Sequence, residues 1–228
     1  MAAPRRIGAE DSKTRALLLD AAERLLLEEG YAAVTSRRIA GQAGLKPQLV
    51  HYYFRAMDDL FLAVYRRRAE QSLERHAQAL ASSRPLRALW ELSTDPRGTK
   101  FTMEFAALAN HRKSIRKELA RHAERFRRMQ LEAVGGALAR HGISSEKYPP
   151  VAVVLAMTGL SQMLVLERAL GIVSGHAEAV TLVERTLDQL EGPERAPRAV
   201  RARPPAKKIR ASGDVRPPRR TGRARKKS

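Results

Sequence analysis

Thr35-Ser-Arg-Arg-Ile-Ala-Gly-Gln-Ala-Gly-Leu-Lys-Pro-Gln-Leu-Val-His-Tyr-Tyr-Phe-Arg-Ala-Met-Asp-Asp-Leu60 divides into two short helical patterns around a glycine. Thr35 is suited to cap a helix running through Ile39 and Ala40 to about Ala43, because its hydroxyl can accept an amide proton that the first turn leaves without a partner. Gly44 permits a sharp turn, and Lys46-Pro47 opens a second short helix ending near Phe54, with Pro47 fitted to its first turn. Two short helices about a tight turn, held by a preceding amphipathic helix, make a helix-turn-helix, whose second helix stands clear and enters a DNA major groove. Ile39, Ala40, Leu45, Val50 and Phe54 form the expected small core beneath it. From Thr35 to Arg55 the basic residues are Arg37, Arg38, Lys46 and Arg55, beside Tyr52, Tyr53 and His51, with no acid. That face suits phosphate contact; its bland alternative is the solvated side of two small helices.

Working outward, every segment predicts helix. Before the quoted stretch, Leu18, Ala21, Ala22, Leu25 and Leu26 recur at three- and four-residue spacing between Ser12 and Gly30, the spacing of one helix face. After it, Met57 to about Ala81 is a long helix with Asp58 and Asp59 in its first turn, favourable against the helix dipole. Further helices are expected from Pro85 to about Leu92, Thr99 to His111, Ser114 to His141, Pro150 to Gly171 and Gly175 to Leu190, with a loop at 94–98. No period-two alternation is sustained, so the fold class is all-α. The divisions expected are an N-terminal arm (1–11), a DNA-binding domain (12–56), a helical effector-binding and dimerisation domain (57–191) and a basic tail (192–228).

The 228 residues carry 43 Lys+Arg and 24 Asp+Glu, a formal net charge of +19. The placement of the charge is more informative than its sum. Residues 192–228 hold 14 of the basic residues and only Glu194 and Asp214 against them, with six of the twelve prolines. With so few bulky apolar residues that tail cannot offset its ordering entropy by burial, and it reads as disordered. Residues 1–65 are nearly neutral, with nine basic and eight acidic residues. The absence of cysteine excludes disulfides, thiolate metal sites and a cysteine nucleophile. The uncharged run from Pro150 to Leu166 lies at the lower edge of a membrane span and contains Thr158, Gly159, Ser161 and Gln162, so a buried helix in a soluble intracellular protein is expected.

Residues 35–60 also resemble the DNA-binding signature of TetR-type transcriptional repressors. The marks are the Thr35 cap, Ile39-Ala40, Ala43-Gly44, the aromatic end Tyr52-Tyr53-Phe54 and the acidic-Leu start of the next helix, with Glu28-Glu29-Gly30-Tyr31 before them. The likeness extends over about residues 12–65; beyond, only the helical layout agrees. It implies a recognition helix over Lys46–Tyr53, with Pro47, Gln48 and Leu49 at base edges. His51, Tyr52 and Tyr53 would meet phosphates, and Thr35 and Arg38 the DNA backbone, beside Arg37, Lys46 and Arg55 of the basic face. Chemically, the Gln48 amide can pair with adenine N6 and N7, and Leu49 can pack on a thymine methyl. Three positions depart from the family pattern. Gln48 stands where Gly is common, His51 where Tyr is usual, and Met57 where a phosphate-binding Lys often lies.

The same resemblance implies a ligand-responsive homodimer on a palindromic double-stranded DNA operator, in a bacterial cytoplasm at the nucleoid. Its last two helices would form the dimer interface, for which Val153, Leu160, Leu164, Val180, Val183 and Leu187 are the candidates. The helix from Pro150 is apolar all round, which itself asks for burial on every side. Large soft side chains, Trp90, Phe101, Met103, Phe105, Leu108, Met129, Met157 and Met163, are candidates either for ordinary core or for an effector pocket admitting a hydrophobic small molecule. No cofactor or metal is expected and no enzyme: there is no His-x-x-x-His, and His122 with Glu118 lies amid Arg and Lys, reading as a solvated face. The competing reading is a sequence-nonspecific architectural DNA binder driven by the tail, with Arg219, Arg220, Arg223 and Arg225 tracking phosphates.

Overall fold

A computed structural model describes residues 12–192 of the protein. The expected N-terminal arm and all of the basic tail beyond Gly192 lie outside the described residues. Among the described residues the regular elements are all helical: α1 (Lys13–Glu29), a 3₁₀ turn (Tyr31–Ala33), α2 (Ser36–Ala43), α3 (Gln48–Tyr53), α4 (Met57–Leu80), α5 (Pro85–Ser93), α6 (Pro96–His111), α7 (Lys113–Arg140), α8 (Pro150–Ala169) and α9 (His176–Glu191).

The helix starts follow the side chains. Ser12 Oγ accepts from the Arg15 N–H and Thr35 Oγ1 from the Arg38 N–H, both at 3.4 Å. Gly44 ends α2 with φ +67°, a left-handed conformation, and its N–H returns to the α2 carbonyls, as a glycine C-cap should. One boundary departs from expectation. Residues 94–98 read as a loop, yet α6 begins at Pro96, because the Asp95 carboxylate accepts the Arg97 and Gly98 N–H groups at 3.1 Å. An Asp cap followed by Pro at the first helical position outweighs the glycine. At the start of α5 the cap is remote: the buried Glu191 carboxylate, at the end of α9, accepts the Leu86 and Arg87 N–H groups at 2.7 and 3.0 Å.

Two apolar clusters organise the molecule. The first joins Leu18, Leu26, Ile39, Val50 and Phe54 to Leu60 and Val64 of α4 and to Phe101, Phe105 and Leu108 of α6. It therefore crosses the boundary expected at residue 56, and the three N-terminal helices share their core with α4 and α6. Ion pairs bind the same seam: Arg67 reaches Asp20 and Glu23 at 2.7 and 3.0 Å, and Arg68 reaches Glu23 at 2.7 Å. The second cluster gathers Leu86, Leu89, Trp90, Val134, Leu138, Val154, Met157, Leu164 and Leu187.

α8 is not buried on every side. Val154, Met157, Ser161 and Leu164 face inward, while Val151, Leu155 and Met163 are about half exposed. α5, α6 and α7 pack against one side of this helix, and among the described residues the apolar side chains on its other side stay exposed. Among the described residues α8 is the one helix long and apolar enough to cross a membrane, by length and composition alone.

Candidate nucleic-acid interface and the cavity behind it

The turn at Gly44 sets α3 against α2 over a core of Ile39, Ala40, Val50 and Phe54, all nearly inaccessible, with Leu45 packed on it. Thr35, Arg37, Arg38, Lys46, Pro47, Gln48, His51, Tyr52 and Arg55 are all exposed around that turn, so the structure brings nine of the eleven expected DNA-contacting residues to the surface together. Leu49 and Tyr53 are half-buried. Tyr53 is also engaged, with its hydroxyl 2.8 Å from Ser12 Oγ, which ties α3 to the start of α1. Tyr52 stands edge-on to it, ring centroids 5.0 Å apart, and projects further out.

Arg38 is already partnered. Its Nη2 donates to Glu29 Oε1 at 2.5 Å, and both side chains are exposed. Their hydrogen bond holds the Glu29 carboxyl below its ordinary range and the Arg38 guanidinium above its own. The stretch 35–55 is free of acids in sequence, but folding returns one to it from the end of α1.

Behind the reading helices lies a cavity of about 270 Å³. Its walls are drawn from five helices: Tyr65, Ser72 and His76 from α4; Leu92 and Ser93 from the end of α5; Gly98, Thr99 and Thr102 from α6; His122, Ala123, Phe126, Arg127 and Gln130 from α7; Thr158 and Gln162 from α8. The eight residues expected to line an effector pocket do not form this wall. Phe101, Phe105 and Leu108 belong to the first core cluster, and Trp90 and Met157 to the second, with Met129 packed beside it. Met103 is half-buried, and Met163 faces outward from α8. Five of the eight are buried in the two cores, and the cavity is lined mainly by aromatic and polar residues.

His122 and Glu118, which read as a solvated face, are part of this environment. His122 packs edge-on to Tyr65 at 5.7 Å, and Glu118 is largely buried and pairs with Arg66 at 2.9 Å. Burial, above all, lowers the pKa of both His76 and His122 and raises that of Tyr65 to about 12. His76 Nδ1 lies 2.7 Å from the Ser72 carbonyl, which can only accept, so that nitrogen carries the proton. The ring meets Phe126 edge-on at 4.5 Å. These wall residues had a legible signal, since 122, 123, 126, 127 and 130 recur at helical spacing. Their mixed polarity hid it, because amphipathic reading looks for apolar stripes. Among the described residues no group of three or more His, Asp and Glu could hold a metal ion.

The expected dimer residues are also redistributed. Leu164 and Leu187 are buried inside the chain, and Val153, Leu160, Val180 and Val183 are half-buried against the same cluster. The outward apolar residues are Val151, Leu155 and Met163 of α8, Leu182 of α9, and Leu170, Ile172 and Val173 between them.

Residues 18–64 match the family model for bacterial regulatory proteins, tetR family. Over 61 residues the chain is 39% identical to the HTH-type transcriptional regulator BetI of Rhizobium meliloti (strain 1021), a match covering 27% of this chain and 30% of that protein. The chain thus spans about a third of the length of the curated relatives it matches. Among solved structures it is similar to a TetR-family transcriptional regulator from Rhodococcus sp., with TM-score 0.63, 20% identity, and 79% of this chain and 100% of that one covered. A transcriptional regulator from Saccharomonospora viridis in complex with choline gives TM-score 0.62 at 19% identity, over 78% of this chain and 94% of that one. The structural likenesses carry the fold, and the match at 18–64 carries a likeness to tetR-family regulators over those residues.

Proposed function

We propose, from the match of residues 18–64 to the model for bacterial regulatory proteins of the tetR family, that the protein is a dimeric, ligand-responsive transcriptional repressor acting on a palindromic operator in the bacterial cytoplasm. The observation that carries the DNA-binding part is the exposed basic and aromatic surface from Thr35 to Arg55, with Gln48 exposed at the start of α3. Phosphate contacts from Arg37, Lys46, His51, Tyr52 and Arg55 set the register, and Gln48 reads a base edge. One recognition helix makes too few contacts for specific affinity, so two copies act on half-sites about one DNA turn apart.

Residues 12–56 serve as the reading head and 57–191 as the effector and dimerisation region. The uncovered α8–α9 face, with Val151, Leu155, Met163 and Leu182 at its surface, supports pairing with a second copy through this face rather than through the inward residues. The cavity supports an effector site. Its aromatic and hydrogen-bonding walls favour a polar ligand over the purely hydrophobic one that the methionines suggested. A ligand there touches α4, whose first turn adjoins α3, and so can bias the distance between two reading heads.

The test is footprinting of the full chain and of a version ending at Glu191 over a salt series. A two-fold symmetric footprint that survives truncation is expected, with Gln48→Ala relaxing preference at one position per half-site by about 1–3 kcal/mol. Loss of all sequence preference in both forms would overturn the repressor reading in favour of nonspecific binding.

A further inference from the structure

The cavity holds two polar groups that the fold leaves without partners. Gln130 is 1% exposed, and its Nε2 amide is buried without a hydrogen-bond acceptor. Arg127, three positions back and so on the same face of α7, has a buried Nε likewise unpartnered, and among the described residues its guanidinium forms no salt bridge. Buried donors without acceptors are uncommon, because each forfeits its hydration with nothing in return. Two adjoining the same hollow mark the place of a missing acceptor.

The acceptor's charge follows from the surroundings. No Asp or Glu lines the cavity. The carboxylates that act on its histidines are all engaged: Glu70 by Arg125 at 2.6 Å, Glu118 by Arg66 at 2.9 Å, and Asp95 by the Arg97 and Gly98 N–H groups at 3.1 Å. His76 and His122 are held towards their neutral forms by burial, so Arg127 supplies the standing charge, and it is positive. Four planar rings, Tyr65, Phe126 and the two imidazoles, stand in the wall among hydroxyl-bearing and small apolar side chains. A volume of about 270 Å³ is at the small end for ligand sites.

We propose that this cavity binds a small organic carboxylate with a planar or short apolar body, its carboxylate held by Arg127 and Gln130 and its body lying against Tyr65 and Phe126. This rests on the reading of the protein as ligand-responsive and names the ligand's chemical class. Guanidinium and carboxylate match as a charge-assisted pair, and the Gln130 amide supplies a neutral donor beside it. A quaternary ammonium such as the choline bound by the Saccharomonospora viridis regulator would meet the wrong sign of charge here.

Titration calorimetry on the full chain tests the class with three carboxylates (benzoate, phenylacetate, hexanoate), their amides and choline, followed by operator binding with each. The expected result is binding by at least one carboxylate, roughly tenfold or more weaker binding by its amide, none by choline, and a lowered operator affinity. Arg127→Gln should weaken the carboxylate at least tenfold. Gln130→Leu should weaken it several-fold while raising the melting temperature of the unliganded protein, since it removes an unsatisfied buried donor. A purely structural Gln130 would not give that opposed pair of changes. Amides or choline bound as well as the carboxylates, or a carboxylate indifferent to Arg127→Gln, would overturn the proposed class and leave the ligand-responsive reading standing. If no compound of any class binds or alters operator affinity, both fall together.

Discussion

Arg38 shows how one side chain can serve the folded protein and its DNA in turn. In the free protein its guanidinium sits on Glu29 at 2.5 Å, an exposed pair that adds little to stability. In the proposed complex with DNA the same group would face phosphates, and Glu29 would compete for it. Glu29→Gln should therefore tighten operator binding several-fold at low salt and leave the melting temperature nearly unchanged, as fluorescence anisotropy and a thermal melt would show. Unchanged or weaker binding would mean that Arg38 stays on α1 throughout. His76 makes a second residue-level case. Burial lowers its pKa, reinforced by Arg75 and His122 and opposed by the Ser72 carbonyl and Asp95. The unfolded chain then binds a proton that the folded one refuses, so this contribution is present above about pH 6.5 and is lost as pH falls through it. His76→Phe keeps a ring against Phe126 and removes the titration. It should flatten the fall in melting temperature between about pH 7 and pH 5, and a slope matching that of the unchanged protein would refute the assignment.

Among the elements, α8 separates what sequence can tell from what it cannot. Its apolar content was plain, and so were the starts of α1 and α2, because Ser12, Thr35 and Gly44 act within a few residues of themselves. The reading surface was legible for the same reason, with exposure and charge set by a local turn. Which side of α8 faces inward was not legible, since Val153 and Leu155 are equally apolar and only the positions of α5 to α7 distinguish them. The cavity was hidden for a related reason: its wall takes a few residues from each of five helices, α4 to α8, and no window along the chain contains them. The assignment of faces has a direct test. Leu155→Arg lies on the exposed side and should turn a dimer into a monomer by sedimentation equilibrium, with helicity retained. Leu164→Ala, on the buried side, should cost about 2–5 kcal/mol of stability and leave the dimer intact in the folded protein. If the two variants exchange these effects, the outward face is not the interface.

At the scale of the whole molecule, the proposed function asks how an occupied cavity would reach the helix proposed to read DNA. α6 offers a short physical route. Thr99 and Thr102 line the cavity, and Phe101 and Phe105 lock the same helix into the first core cluster. Two residues beyond Thr102, the Glu104 carboxylate accepts the Tyr31 N–H at 2.8 Å. Tyr31 opens the turn that leads into the Thr35 cap of α2, and the preceding Gly30 has φ +87° and lies so close that an added Cβ would stand 3.3 Å from Glu104 Oε2. A rigid helix thus joins cavity to reading head through one hydrogen bond and one tight approach, and a close-packed core passes small shifts on rather than absorbing them. Removing that bond should separate binding from response. In Glu104→Ala, operator affinity without ligand and benzoate affinity without DNA should each change by less than about threefold. The factor by which benzoate weakens operator binding, typically about 5–150-fold for coupled sites, should fall towards one. Thermodynamic reciprocity sharpens the measurement, because operator DNA must weaken benzoate by the same factor that benzoate weakens the operator. Both factors should therefore collapse together in Glu104→Ala, and a variant that keeps full coupling in both directions would place the route in α4 instead.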